Sequence, residues 1–164
     1  MDTSFTPPAT ADKREFYALL AEQTRALLQG ERDWLANLSQ FSALVYGALG
    51  EVNWAGFYMV RGQELVLGPF QGKVACVRIP FARGVCGACA REQTVQIVPD
   101  VHAFPGHIAC DADSRSELVL PVRVRGQLCA VFDIDSPRPG RFDAEDAVGL
   151  AAMLTVLVDA TEWP

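Results

Sequence analysis

The chain has 164 residues, half of them apolar and about a fifth charged, with a net charge of −6. That is enough for one domain with a sizeable core, and too apolar for a disordered chain. The acidic balance excludes the broad basic surface on which non-specific nucleic-acid binding rests, so no nucleic-acid partner is expected.

Residues 1–10, MDTSFTPPAT, are polar and proline-rich and read as a flexible tail, with a single domain from 11 to 164. The N-terminus has neither the basic start nor the apolar run of a secretory signal. The longest apolar stretch, AVGLAAMLTVLV at 147–158, is too short to span a bilayer. No membrane association is expected, and a cytoplasmic location follows. There, five cysteines do not form a structural disulfide framework, although a transient catalytic disulfide stays open.

Asp12 caps a predicted helix over KREFYALLAEQTRALL, with an apolar stripe through Phe16, Leu19, Leu20, Gln23, Leu27 and Leu28 and Gly30 as its stop. A second helix is predicted from Asp33 to Leu49, with Trp34, Leu38, Phe41, Leu44, Val45 and Leu49 on its apolar side. The period then changes. NWAGFYMVR (53–61) and ELVLGPF (64–70) predict paired strands around RGQ, and ACVRIP (75–80) a third strand. GVCGACAREQ (84–93) predicts a short helix, and TVQIVPD (94–100) a strand that Pro99 ends. Residues 101–115 form a long loop carrying both histidines. ELVLPVRV and QLCAVFDIDS predict a hairpin around a second RGQ, and a last helix runs from about Asp143 to Thr161. This order implies an α+β fold: an antiparallel sheet of about six strands, with two N-terminal helices and a C-terminal helix packed mainly on one side.

Alternation along strands puts Trp54, Gly56 and Tyr58 on one face of the first strand. On the last strand Leu128, Ala130, Phe132 and Ile134 form the core face, and Asp133 and Asp135 lie opposite, with Cys129 and Val131. Carboxylates on the same face as an apolar valine are not the pattern of a solvated edge. Asp135 alone reads equally well as a turn cap before Ser136 and Pro137. Asp133 and Asp135 together with Glu117, at the start of the neighbouring strand, point to a pocket.

Cys86 and Cys89 form a C-x-x-C without the βαβ context of a thioredoxin motif. A second ligand pair for zinc is missing, so no metal site is expected. Cys89 and Cys129 read as small buried apolar residues. Cys110 differs: in GHIACDADSRSEL (106–118) it sits in a polar loop with Asp111, Asp113 and Glu117 close behind, and acidic neighbours raise a thiol's pKa. His102 and His107 read as loop surface residues, His107 being the nearer to Cys110 in sequence.

The segments NWAGFY, GVCG, FPGHIACDADSRSE, LPV and FDIDSP resemble the free methionine-(R)-sulfoxide reductases, which are GAF-type domains, and the similarity runs from about Trp34 to Leu157. The resemblance implies a GAF-like fold, free methionine sulfoxide as substrate, no bound cofactor, and thioredoxin or another dithiol as reductant. It places the family's nucleophile on Cys110 and its resolving cysteines on Cys76 and Cys86. The family's acidic cluster falls on Glu117, Asp133 and Asp135, and its aromatic pocket residues on Trp54 and Tyr58. Cys89 and Cys129 depart from the family pattern. A homodimer built through the terminal helices is expected by the same analogy. Arg115, Ser116 and loop N–H groups are candidate donors for the substrate carboxylate.

The implied chemistry is coherent. A thiolate attacks the sulfoxide sulfur, and the oxygen, which ends as water, needs protons. Carboxyls crowded together can retain one near neutral pH. The nucleophile becomes a sulfenic acid, and a second thiol condenses with it to a disulfide. The alternative is a non-catalytic GAF module that binds a small molecule or senses redox state, which would have the same fold.

Overall fold

A computed structural model describes residues 5–107 and 111–164. Helix α1 (Lys13–Leu27) starts where the Asp12 carboxylate accepts the Glu15 N–H. Its buried line runs through Tyr17, Leu20, Thr24 and Leu28, while Leu19 and Leu27 of the expected stripe are exposed. The contact with the last helix sets that line. Thr24 tolerates burial because its hydroxyl donates to the Leu20 carbonyl. Helix α2 (Trp34–Ala48) starts at Asp33, whose carboxylate accepts the Ala36 N–H, and buries Leu38, Phe41, Leu44 and Val45.

The strands are β1 (Trp54–Arg61), β2 (Glu64–Gly72), β3 (Arg78–Pro80), β4 (Gln96–Val98), β5 (Ser116–Val124) and β6 (Gln127–Ser136). They form one sheet in the order β3-β2-β1-β6-β5-β4, with every neighbouring pair antiparallel. Helix α3 (Gly84–Glu92) lies between β3 and β4 in the chain, and α4 (Ala144–Ala160) follows the sheet. The third strand is shorter than its sequence predicts: residues 75–77 are irregular, and only Arg78 to Pro80 pair with β2.

The sheet separates two apolar clusters. On one face Ala55, Phe57, Met59, Leu118, Leu120, Ala130, Phe132 and Ile134 pack under α1, α2 and α4. The Phe41 ring meets Phe132 edge-on, with centroids 5.2 Å apart. On the other face Trp54, Tyr58, Val119 and Val131 pack with Cys86 and Cys89 of α3. The expectation of two N-terminal helices and a C-terminal helix on one side is therefore borne out, with α3 and the segment around Val101 and Phe104 packed on the opposite face. Leu128 is a correction. It packs against the α3-side cluster, not with Ala130. Val122 faces Ala130 while Arg123 faces Leu128, so Cys129 is an extra, unpaired residue, and this bulge flips the alternation beyond it.

Asp143 and Asp146 form a reciprocal cap at the start of α4. The buried Asp146 also accepts from the Tyr17 hydroxyl at 2.8 Å and pairs with Lys13 at 2.8 Å, which ties α1 to α4. Gly149 makes room for this contact, since a Cβ there would lie 2.1 Å from Cγ of Tyr17. In an open helix Gly→Ala gains up to about 1 kcal/mol. Here Gly149→Ala is expected to lose about 1–3 kcal/mol through overpacking, read as a lower denaturant midpoint. A higher midpoint would mean that the helices separate without cost.

Candidate active site

Strand register assembles the site. Pairing of β5 with β6 sets Glu117 opposite Asp135 and Val119 opposite Asp133. Pairing of β1 with β6 sets Trp54 opposite Asp135 and Gly56 opposite Asp133. The three carboxyls and the two aromatic residues thus share the face that α3 covers. Gly56 is required there, because a Cβ would lie 2.3 Å from Cβ of Phe70. That space lets Phe70 stack on Trp54 at 5.3 Å, and Trp54 in turn stack on Tyr58 at 5.8 Å.

From above, α3 lowers Cys86 onto the acids, and its thiol donates to Glu117 Oε1 at 3.9 Å. Cys86 is 3% exposed, and Glu117 and Asp133 6% each, whereas Asp135 is half-buried. The first residue of α3, Gly84, has φ +70° and donates its N–H to the Gly106 carbonyl, which fastens the helix to the long loop. Polar tips of the aromatic residues hold the irregular segment before β3: Trp54 Nε1 donates to the Lys73 carbonyl and the Tyr58 hydroxyl to the Cys76 carbonyl.

These groups line a cleft of about 530 Å³, its open side included. Trp54, Tyr58, Cys86, Glu117, Asp133 and Asp135, singled out from the sequence, all line it. Cys110 lies outside the described residues. Cys76 is disulfide-bonded, whereas Cys86, Cys89 and Cys129 are free thiols. Cys89 donates to the Val119 carbonyl and Cys129 to the Gln127 carbonyl, and neither lines the cleft.

Arg115 and Ser116 do not line it either, and the Ser116 hydroxyl is committed to the Arg138 carbonyl. His107, read from sequence as a surface residue, is half-buried and lines the cleft. Burial, and secondarily His102, hold its imidazolium pKa below the usual value. Asn53 was not anticipated. Its amide donates to Asp111 Oδ2 and Ser114 Oγ, while Lys73 pairs with Asp111 and Asp113, so five polar side chains brace the end of the long loop against the β1–β2 edge of the cleft. The available signal was an asparagine directly before an otherwise apolar strand.

Burial dominates the electrostatics. It pushes Asp133 up to about 7. It also raises Glu117 well above the carboxylate range, with the Asp133 charge adding to the effect, and Asp135 likewise, with Asp133 and Asp111 adding. The Cys86 thiol is raised by burial and then by Asp133 and Glu117. The cleft therefore stores acid protons near neutrality.

A folded pKa above the unfolded value gives stability that is complete below the unfolded pKa, 3.8 for Asp133, and is lost as pH rises through about 7. Asp133→Asn, which mimics the protonated form, is accordingly expected to raise the melting temperature by a few degrees at about pH 8 and to change it little at about pH 4. Equal shifts at both pH values in thermal unfolding would show that Asp133 titrates normally.

The sequence matches the GAF domain family over residues 12–160. It is 53% identical over 146 residues to the free methionine-R-sulfoxide reductase of Escherichia coli, covering 89% of this chain and 88% of that protein. It is 55% identical over 139 residues to protein YtsP of Bacillus subtilis, covering 84% and 85%. The fold superposes on the X-ray structure of the free methionine-R-sulfoxide reductase of Neisseria meningitidis in complex with its substrate, with a TM-score of 0.90 and 40% identity over 96% of this chain and 94% of that one. A GAF sheet, a cleft of buried carboxyls between α3 and the β5–β6 hairpin, and relatives this similar along most of their length lead to one assignment: the chain belongs to the free methionine-R-sulfoxide reductase family of GAF-domain proteins.

Proposed function

We propose that the protein reduces free L-methionine-(R)-S-oxide to L-methionine in this cleft. The observation that carries the reading is the set of three carboxyls, Glu117 and Asp133 buried and Asp135 half-buried, facing Trp54 and Tyr58. A sulfoxide needs an apolar wall for its S-methyl group and a proton source for its oxygen, and the cleft offers both.

In this reading Cys110 is the nucleophile. Its thiolate adds to the sulfoxide sulfur while a carboxyl of the Glu117–Asp133–Asp135 group protonates the oxygen. Collapse of the adduct leaves the hydroxyl on Cys110 as a sulfenic acid and releases methionine. A second thiol then attacks Cys110, expels water and closes a disulfide. Of the two cysteines expected to resolve, Cys76 is the better supported, because it is disulfide-bonded while Cys86 is a free thiol. Cys86 is also raised by burial and by its acidic neighbours, which makes it a poor nucleophile at neutral pH. Its role is to hold Glu117 by a hydrogen bond.

Recycling needs a dithiol, thioredoxin in this reading. Val74 and Val77, which are 88% and 64% exposed, flank Cys76 and offer such a protein an apolar approach. The exposed Val148 on α4, with Ala18 and Ala21 of α1 beside it along one groove, supports pairing with a second copy in a homodimer. No described helix is long and apolar enough to cross a membrane, in keeping with action on a free cytoplasmic metabolite.

The deciding assay is turnover of free methionine-(R)-sulfoxide with dithiothreitol, beside the (S)-epimer and a peptide-bound (R)-sulfoxide. Only the free (R) form should be reduced, with activity absent in Cys110→Ser and largely kept in Cys89→Ser and Cys129→Ser. Reduction of none of the three by protein with free thiols would make it a binding module. Glu117→Gln or Asp135→Asn should lower kcat about 10²- to 10⁴-fold, the range of general-acid effects, without slowing reduction of the disulfide. Val74→Glu combined with Val77→Glu should slow turnover with thioredoxin while sparing turnover with dithiothreitol.

A further inference from the structure

Cys86, Glu117 and Asp133 each offer one ligand atom, and the three atoms lie within 4.8 Å of one another. All three residues are more than nine-tenths buried. Asp133 Oδ1 is buried with no hydrogen-bond partner among the described residues, and Asp133 lines the cleft. A buried carboxylate oxygen without a donor is costly unless a proton or a cation supplies what is missing. We propose that Cys86, Glu117 and Asp133 form a three-ligand site for a thiophilic divalent cation, zinc in the first place, and that its occupation closes the cleft to substrate.

The donor set selects the metal. One thiolate with two carboxylates suits a borderline ion such as Zn²⁺ and not Mg²⁺ or Ca²⁺, which take oxygen ligands only. Tetrahedral zinc with ordinary Zn–S and Zn–O bonds sets its sulfur and oxygen ligands about 3.5 Å apart. Cys86 Sγ already stands 3.9 Å from Glu117 Oε1, so a few tenths of an ångström of closure suffice. Three protein ligands leave the fourth position to water. Binding replaces the thiol proton and any proton that the two carboxyls hold, and these pass to solvent. No electron moves. The set differs from the C-x-x-C of the sequence, since Cys89 takes no part.

Metal binding stands independently of the proposed activity. The inhibitory consequence rests on that activity, because a cation on Glu117 and Asp133 removes the protons the sulfoxide oxygen needs. The test uses oxidised protein, in which Cys76 is disulfide-bonded and Cys86 free, with Co²⁺ as a spectroscopic stand-in for Zn²⁺. One equivalent should give a near-ultraviolet sulfur-to-cobalt charge-transfer band that Zn²⁺ abolishes. The band should be absent in Cys86→Ser and unchanged in Cys89→Ser and Cys129→Ser. Asp133→Asn, checked for folding by its melting curve, should weaken Co²⁺ binding by at least about ten-fold. Absence of the band in wild-type protein, its persistence in Cys86→Ser, or unchanged affinity in Asp133→Asn would overturn the site. Zinc should also stop sulfoxide turnover by reduced enzyme, and a chelator should restore it. A cobalt band in a protein that reduces no sulfoxide would leave the metal site standing and remove the function. Turnover that zinc leaves untouched would remove the inhibitory role.

Discussion

Glu117, Asp133 and Asp135 share a patch of sheet that α3 keeps largely dry, and the rest of the site is arranged around that circumstance. Burial already penalises each charge. Two unit charges about 4 Å apart repel by a further ~4 kcal/mol at an effective dielectric near 20, about as much as three pH units of protonation free energy. Once Asp133 ionises near 7, its neighbours keep their protons. The same environment holds the Cys86 thiol in its protonated form. Acid chemistry and thiolate chemistry must then be apart in space. The carboxyls and Cys86 occupy the floor and roof of the cleft, and the disulfide-bonded Cys76 lies at its edge, on a segment that Tyr58 and Trp54 anchor through backbone carbonyls.

The opposite face of the sheet makes this tolerable. Burying carboxyls is destabilising, and it is offset by an apolar cluster beneath α1, α2 and α4, where Phe41, Phe57 and Phe132 interlock. The helices are fixed to each other by Asp146, which serves at once as cap, ion-pair partner of Lys13 and acceptor for Tyr17. A rigid support under β6 keeps Asp133 and Asp135 in place beneath Cys86 and Glu117. Asp133 Oδ1 has no hydrogen-bond partner among the described residues.

Much of this was legible in the chain because period-2 alternation is a local signal. FDID announces that its acids oppose its apolar residues, and the capping residues Asp12, Asp33 and Asp143 mark the helix starts that are found. What escaped depends on partners distant in sequence. The buried line of α1 is chosen by Gly149, more than a hundred residues away. The shortened β3 is set by its pairing with Glu64–Val66 of β2 alone, which nothing in its own residues announces. The burial of His107 and the bracing role of Asn53 arise from the fold of the long loop against β1, which has no periodicity to read. The bulge at Cys129 leaves no mark in the alternation of residue types, so Leu128 was placed on the wrong side.

That bulge has a consequence for how the protein can change. A strand encodes its two faces by parity, so one residue gained or lost within β6 between the bulge and Asp135 would send both acids into the helix-side core and deliver Phe132 and Ile134 to the cleft. Substitution can tune this site, but length cannot vary inside it. The extra residue at Cys129 lies on the hairpin-tip side of that stretch, between the acids and the Arg125–Gly126 turn. Gains and losses of single residues can be absorbed there, where parity has already been reset once. The tip of the hairpin is free to drift in length while Asp133 and Asp135, beyond the bulge, stay in phase.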